Sequence, residues 1–204
     1  MSVRGACAAL VLAALVSGCA VRGPVAPAGP PTAWVDRLAA LEQIGRWRLS
    51  GRLALRTAQE SVSGSIRWWQ GERGFDLRLH GAFGRGALHL TENSAGARLE
   101  RADEPPMEAA SAAVLLADAL PQTPLPVDNL RYWVLGRPAP GAVDTLLLDG
   151  ANRLRVLRQD GWQIEYTEYR PVPPWSLPVK LKARRGDIEL RLAIRDWMPG
   201  ADAP

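Results

Sequence analysis

Residues 45–70, GRWRLSGRLALRTAQESVSGSIRWWQ, decide the fold. In their first half Trp47, Leu49, Leu53 and Leu55 alternate with Arg46, Arg48, Ser50, Arg52 and Arg56. In the second half Val62, Ile66 and Trp68 continue the pattern, opposed by Ser61, Ser63, Ser65 and Arg67. A period of two places successive side chains on opposite faces, so each run is a strand with one apolar and one wet face.

The same pattern extends downstream. Phe75, Leu77 and Leu79 form a third run, Leu88 and Leu90 a fourth, and Ala97, Leu99 and Arg101 a fifth. Gly71-Glu72-Arg73-Gly74 and Asn93-Ser94-Ala95-Gly96 are turn sequences between runs, so this part reads as an antiparallel meander. Helical sequence follows: Ala109 to Leu120 is rich in Ala and Leu, residues 121–126 (PQTPLP) break it, and Val127 to Leu135 forms a second helix stopped by Gly136. Strands resume at Val143–Leu148, Arg153–Arg158, Trp162–Tyr169, Pro178–Ala183 and Ile188–Asp196. Ahead of the first strand, Thr32 caps a helix carrying Trp34, Val35, Leu38 and Leu41 on one face, with Gly45 as its stop. About ten strands need closure or a cover, and one curled sheet with helices on one side supplies both.

The N-terminus has a different character. One positive charge in Met1-Ser2-Val3-Arg4 precedes an apolar run from Ala6 to Val16, too short to span a bilayer, which takes roughly 20 apolar residues. Val16-Ser17-Gly18-Cys19 then reads as a lipobox. Residues 1–18 are therefore expected to be a signal peptide, with Cys19 the lipidated first residue of the mature chain. Residues 19–31, rich in Pro, Gly and Ala, form a tether, and residues 32–204 form one folded domain. Two or three acyl chains hold a protein on a membrane almost permanently. Ala20, where lipoproteins kept at the inner membrane commonly carry Asp, points to an outer-membrane anchor. Cys7 and Cys19 are the two cysteines, so the folded part has no disulfide.

Composition narrows the function classes. Without the signal the net charge falls from +4 to +3, because Arg4 leaves 24 basic against 21 acidic residues. The arginines are dispersed over alternating positions, which excludes the clustered patch of a nucleic-acid binder while still favouring anionic lipid or an acidic partner. His80 and His89 fall on the polar strand faces without a third ligand, so no metal is expected. Gly-x-Ser-x-Gly is absent, and Gly81 to Gly86 has phosphate-loop spacing but Ala87 and Leu88 where Lys and Ser/Thr belong. Asp76, Glu92, Glu100, Asp149, Glu165 and Glu168 alternate with apolar residues as ordinary strand faces do. Neither an enzyme nor a cofactor is indicated.

Two features leave a choice open. Eight Trp residues either line a hollow inside the curled sheet or fill its core, and composition alone favours the filled core. Gly81-Ala82-Phe83-Gly84-Arg85-Gly86 places one of two Phe residues on a Gly-rich hairpin tip. Phe83 is either tucked back, which the residues alone favour, or pushed outward into a bilayer with Arg85 on lipid phosphate.

The chain resembles the outer-membrane lipoprotein receptor LolB family from the lipobox almost to the C-terminus. The resemblance rests on Trp34, Trp47-x-Leu49-x-Gly51-Arg52, Ser63-Gly64-Ser65-Ile66-x-Trp68-x-Gln70, and the Gly81–Gly86 hairpin. It rests further on Leu130-Arg131-Tyr132-Trp133-Val134-Leu135-Gly136 with Pro138, Gly161-Trp162-x-Ile164-x-Tyr166-x-x-Tyr169, Leu177-Pro178-x-x-Leu181, and Trp197. It implies a half-closed antiparallel β-barrel of 10–11 strands with a helical lid over an apolar cavity. It also implies a monomer that accepts lipoproteins, by their acyl chains, from the periplasmic carrier LolA and releases them into outer-membrane lipid. The domain would face the periplasm. Trp47, Leu49, Ile66, Trp68, Leu79 and Trp133 are the candidate cavity-lining residues. The family's membrane-insertion residue, usually Leu after Pro on the hairpin, corresponds to Phe83 after Ala82, which favours the outward reading. The competing reading is a non-enzymatic outer-membrane scaffold lipoprotein with a filled core and a protein partner.

Overall fold

The computed structural model describes residues 32–204, apart from 60, 82–86, 103, 120–122 and 124. The expected signal, Cys19 and the tether lie outside the described residues, as do Phe83 and Arg85. Helix α1 (Thr32–Glu42) leads into β1 (Trp47–Arg56), β2 (Ser61–Gln70), β3 (Phe75–Gly81), β4 (Leu88–Asn93), β5 (Gly96–Arg101) and β6 (Met107–Ala109). Helices α2 (Ala112–Ala119) and α3 (Val127–Trp133) follow, then β7 (Thr145–Leu148), β8 (Leu154–Gln159), β9 (Trp162–Val172), β10 (Trp175–Arg185) and β11 (Ile188–Pro199).

All eleven strands form one sheet in the order β6-β5-β4-β3-β2-β1-β11-β10-β9-β8-β7. Every neighbouring pair is antiparallel, and β1 pairs with the last strand, β11. The edges β6 and β7 do not join, so the sheet is open. A right-handed twist accumulated over this many strands curls the sheet around its apolar face. The inward side chains of β1, β2, β5 and β8 to β11 belong to a single core cluster with Trp34 and Leu41 of α1, Leu115 and Leu116 of α2, and Leu130 and Trp133 of α3. All three helices therefore occupy the concave side.

Expectation and structure differ at several edges. Ala109 lies in the short strand β6, not at the start of a helix, and α2 begins three residues later. The Ser111 hydroxyl accepts from the Val114 N–H at 3.3 Å, and the Glu92 carboxylate accepts from the Ala112 N–H at 2.6 Å. Together they satisfy two free donors at the α2 N-terminus. Thr32 is already helical, and α1 ends at Glu42 in tight turns, with Ile44 N–H on Leu41 O and Gly45 N–H on Gln43 O.

Helix α3 stops at Trp133, two residues before the expected Leu135, and Gly136 closes the turn that follows. Its φ is +78°, its N–H donates to Trp133 O, and the Arg137 N–H donates to Tyr132 O. This pair of bonds satisfies the last carbonyls only with a left-handed residue between, which glycine adopts without strain. The Arg137 guanidinium then lies 4.7 Å from the centre of the Tyr132 ring, the same two residues joined by the outer bond.

Candidate functional site

The concave face of β1 to β4 is the candidate site, and its two ends differ. At the end where β1 begins, Trp47 packs edge-on against Trp68 at 4.9 Å and Trp197 at 5.4 Å, and Trp68 meets Phe75 at 6.3 Å. Edge-to-face pairs at such separations suit the ring quadrupole and fill space densely. Trp197 reaches this cluster through a β-bulge. Leu49 pairs with Trp197 and Ser50 with Asp196, but Gly51 pairs with Ile194, leaving Arg195 as the extra residue. The inward phase thus runs Ile188, Leu190, Leu192, Ile194 and then Trp197, a break in alternation that the bulge absorbs. At Gly51 a Cβ would lie 2.2 Å from the Ala193 carbonyl oxygen, so the close strand approach needs glycine there.

The other end is more open. Leu53 and Leu55 of β1, Leu79 of β3 and Leu88 of β4 point inward yet are only partly buried. Register places Leu55 opposite Val62 and Leu79 opposite Leu88, at the end of the β3–β4 pair where the two strands connect. Met107 on β6, with Leu146 and Leu148 on β7, is likewise only partly covered. An apolar lining that its own chain does not cover is a surface with transfer free energy still to gain from an apolar ligand, roughly 25 cal/mol per Å².

On the far side of the interior, α3 is fastened to the β8–β9 hairpin. The Trp133 indole N–H and the Ala139 N–H both donate to Gln159 Oε1 at 3.0 Å, and Gln159 Nε2 donates to Ala139 O at 2.8 Å. The Tyr166 hydroxyl donates to Trp133 O at 2.9 Å, and burial pushes its pKa well up, so it remains a donor. Tyr169, also raised by burial, donates to Leu154 O. Trp133 lies 6.4 Å from Trp162 in the same wall.

Of the candidate lining residues, Trp47, Leu49, Ile66, Trp68 and Trp133 are fully packed in the core, and Leu79 stands on the half-covered rim. Sequence reading missed Leu53, Leu55 and Leu88 as rim residues, because alternation marks an inward face without saying how much of it the helices cover. It also missed Gln159, for which a polar residue closing an apolar strand before a turn was the available signal. The two histidines sit on the outer face. His89 lies between Asp76 at 2.9 Å and Glu100 at 3.2 Å, and among the described residues no group of three ligands suited to a metal forms.

An open antiparallel sheet curled around three helices, with an apolar rim left partly bare, defines a half-barrel. A LolA superfamily protein from Nitrosomonas europaea superposes with a TM-score of 0.50 at 9% identity, over 82% of this chain and 94% of that one. The family model described as "Outer membrane lipoprotein LolB" matches residues 45–197. The relative named outer-membrane lipoprotein LolB from Pseudomonas putida is 38% identical over 196 residues, 95% of each chain. One from Stutzerimonas stutzeri is 38% identical over 191 residues, 92% of each. The chain belongs to the outer membrane lipoprotein LolB family.

Proposed function

We propose that this protein is a lipid-anchored outer-membrane receptor that takes lipoproteins from a LolA-type carrier and delivers them to the outer membrane. The observation that carries this reading is the half-covered apolar rim of Leu53, Leu55, Leu79 and Leu88 on the concave face. Acyl chains laid on that rim would complete the burial that the chain's own helices leave unfinished. Each methylene taken from water is worth about 0.8 kcal/mol, so exposure of whole acyl chains during transfer costs tens of kcal/mol. Mouth-to-mouth handover avoids that exposure, and the gain on entering the bilayer drives release. The role of this chain's residues is binding and shielding, without a chemical step.

Cys19 carries the anchor and residues 20–31 the reach, with the folded domain facing the periplasm as a monomer. Twelve tether residues span at most about 40 Å. Phe83 on hairpin 82–86 enters the bilayer surface where the chains leave, and Arg85 meets lipid phosphate. The position of residues 82–86 in the chain supports this, since they follow Gly81 at the end of β3 and precede the rim residue Leu88 at the start of β4.

Displacement of an apolar fluorescent probe by fatty acid tests the rim. Tight displaceable binding, weakened at least tenfold in Leu79→Glu, is the expected result. No binding to the folded protein would sink the receptor reading and leave a scaffold with a filled core. Transfer of a labelled lipoprotein from carrier to vesicles tests the hairpin: a folded Phe83→Glu variant that inserts cargo at the normal rate would remove Phe83 from the account.

A further inference from the structure

We propose that the outer face of the sheet around Arg52 and Arg67 binds the phosphates of anionic phospholipid head groups. This inference rests on the reading that hairpin 82–86 meets the bilayer. A polar groove of about 460 Å³ runs across β1 and β2, lined by Ser50, Arg52, Ser65, Arg67, His80 and Arg195 over a floor of Gly51, Gly64 and Gly81. Its floor includes Gly81, the last residue of β3, and the sequence that follows, residues 82–86, carries no acid and one further cation, Arg85.

The charges around the groove are neutralised unevenly. Lys180 pairs with Glu168, Arg184 and Arg191 with Glu189, and Arg78 with Asp76. Arg195, the bulged residue, pairs with Asp196 at 2.9 Å and reaches Ser50 Oγ at 3.3 Å. Among the described residues no carboxylate pairs with Arg52 or Arg67, and both are exposed. Arg52 pairs in register with Ser65, and Arg67 with Ser50, so the two arginines are diagonal neighbours on one face. Such neighbours stand roughly 7–8 Å apart at Cα, close enough for two guanidiniums to share one phosphate.

The groove's chemistry distinguishes a head group from a protein. Protein interfaces concentrate binding in buried aromatic and aliphatic anchors with a polar rim. This groove has small hydroxyls, two free guanidiniums and no exposed large apolar side chain, Ile66 beneath it being fully buried. An anionic leaflet requires only charge and donors. The outer face around Arg52 and Arg67 would then lie over lipid phosphates while the hairpin enters the surface, orienting the mouth toward the bilayer.

The test is vesicle flotation of the mature chain carrying Cys19→Ala, so that no acyl anchor contributes. Vesicles of pure phosphatidylcholine are compared with vesicles containing phosphatidylglycerol. Each basic side chain at an anionic surface is worth about a factor of five, so Arg52→Gln/Arg67→Gln should lower partition onto anionic vesicles roughly 25-fold. Binding to neutral vesicles and the melting temperature should not move, and added salt should erase the difference between the two vesicle types. Unchanged anionic partition in the folded double variant would overturn the proposal. So would an equal loss on both vesicle types, or a loss of carrier binding in the absence of vesicles, which would make the occupant a protein. Phe83→Ser separates the two readings. It should weaken partition onto both vesicle types, and if it changes nothing while the arginine variant does, the hairpin reading fails and the groove stands.

Discussion

The indole N–H of Trp133 donates to Gln159 Oε1 at 3.0 Å, and this bond ties α3 to the β8–β9 hairpin in a fully buried setting. The same oxygen accepts the Ala139 N–H, and the amide nitrogen returns a bond to Ala139 O. Gln159 thus satisfies three backbone or indole groups that have no access to water. Gln159→Leu keeps the volume and strands all three. A buried group left unpaired costs about 1–3 kcal/mol, and partial relaxation brings the expected loss to about 2–4 kcal/mol. Urea unfolding measures it, and a loss below about 1 kcal/mol would show that α3 is held by packing alone.

Gly136 is the other fixture of that wall. A Cβ at φ +78° is strained, and there it would lie 3.1 Å from both the Tyr169 hydroxyl and Pro178 Cγ. Gly136→Ala should destabilise by about 1–3 kcal/mol, from left-handed strain of roughly 1–2 kcal/mol plus crowding. The melting temperature reads this directly, and the control Gly200→Ala separates the two contributions, since its φ is +75° but nothing lies within 4 Å of its Cβ position.

Acid should loosen the β10–β11 side of the sheet. The hydrogen bond from Arg184 is the largest influence on the Glu189 carboxyl; burial opposes it, and the hydrogen bond and charge of Arg191 add to it, so the carboxyl stays below its ordinary value of 4.5. The unfolded chain therefore binds a proton more readily than the folded one. The stability Glu189 contributes is complete above about pH 4.5 and is lost as pH falls through its lower folded value. Between pH 6 and pH 3.5 the urea midpoint of the wild-type protein should fall more than that of Glu189→Gln. Equal falls would place the acid sensitivity on other carboxylates.

The anchor and the binding surface should separate cleanly. A soluble Cys19→Ala form should retain displaceable probe binding and lose stable membrane residence, because the rim residues are all in the folded domain. Loss of probe binding in that variant, with its circular dichroism unchanged, would tie the anchor to the site itself.

Much of the architecture was legible in the chain. Alternation from Trp47 to Leu55 and from Val62 to Trp68 sets the two faces of β1 and β2, because the pleat assigns neighbours to opposite sides whatever else the protein does. Gly136 closes the turn after α3 for an equally local reason, its backbone freedom. The motifs from Trp47 to Trp197 carry the likeness to the LolB family in the sequence itself, without any tertiary contact. Tertiary structure alone decided how the inward face is used. Trp47 and Leu53 share one strand and one face, yet Trp47 is sealed by Trp68 and Trp197 while Leu53 stays half-bare. The bulge at Arg195, the capping of α2 by Glu92 and the Gln159 clamp likewise join residues far apart in sequence. Local periodicity carries no information about such contacts, because they depend on which elements the folded chain brings against each other and on how much apolar face those elements leave uncovered.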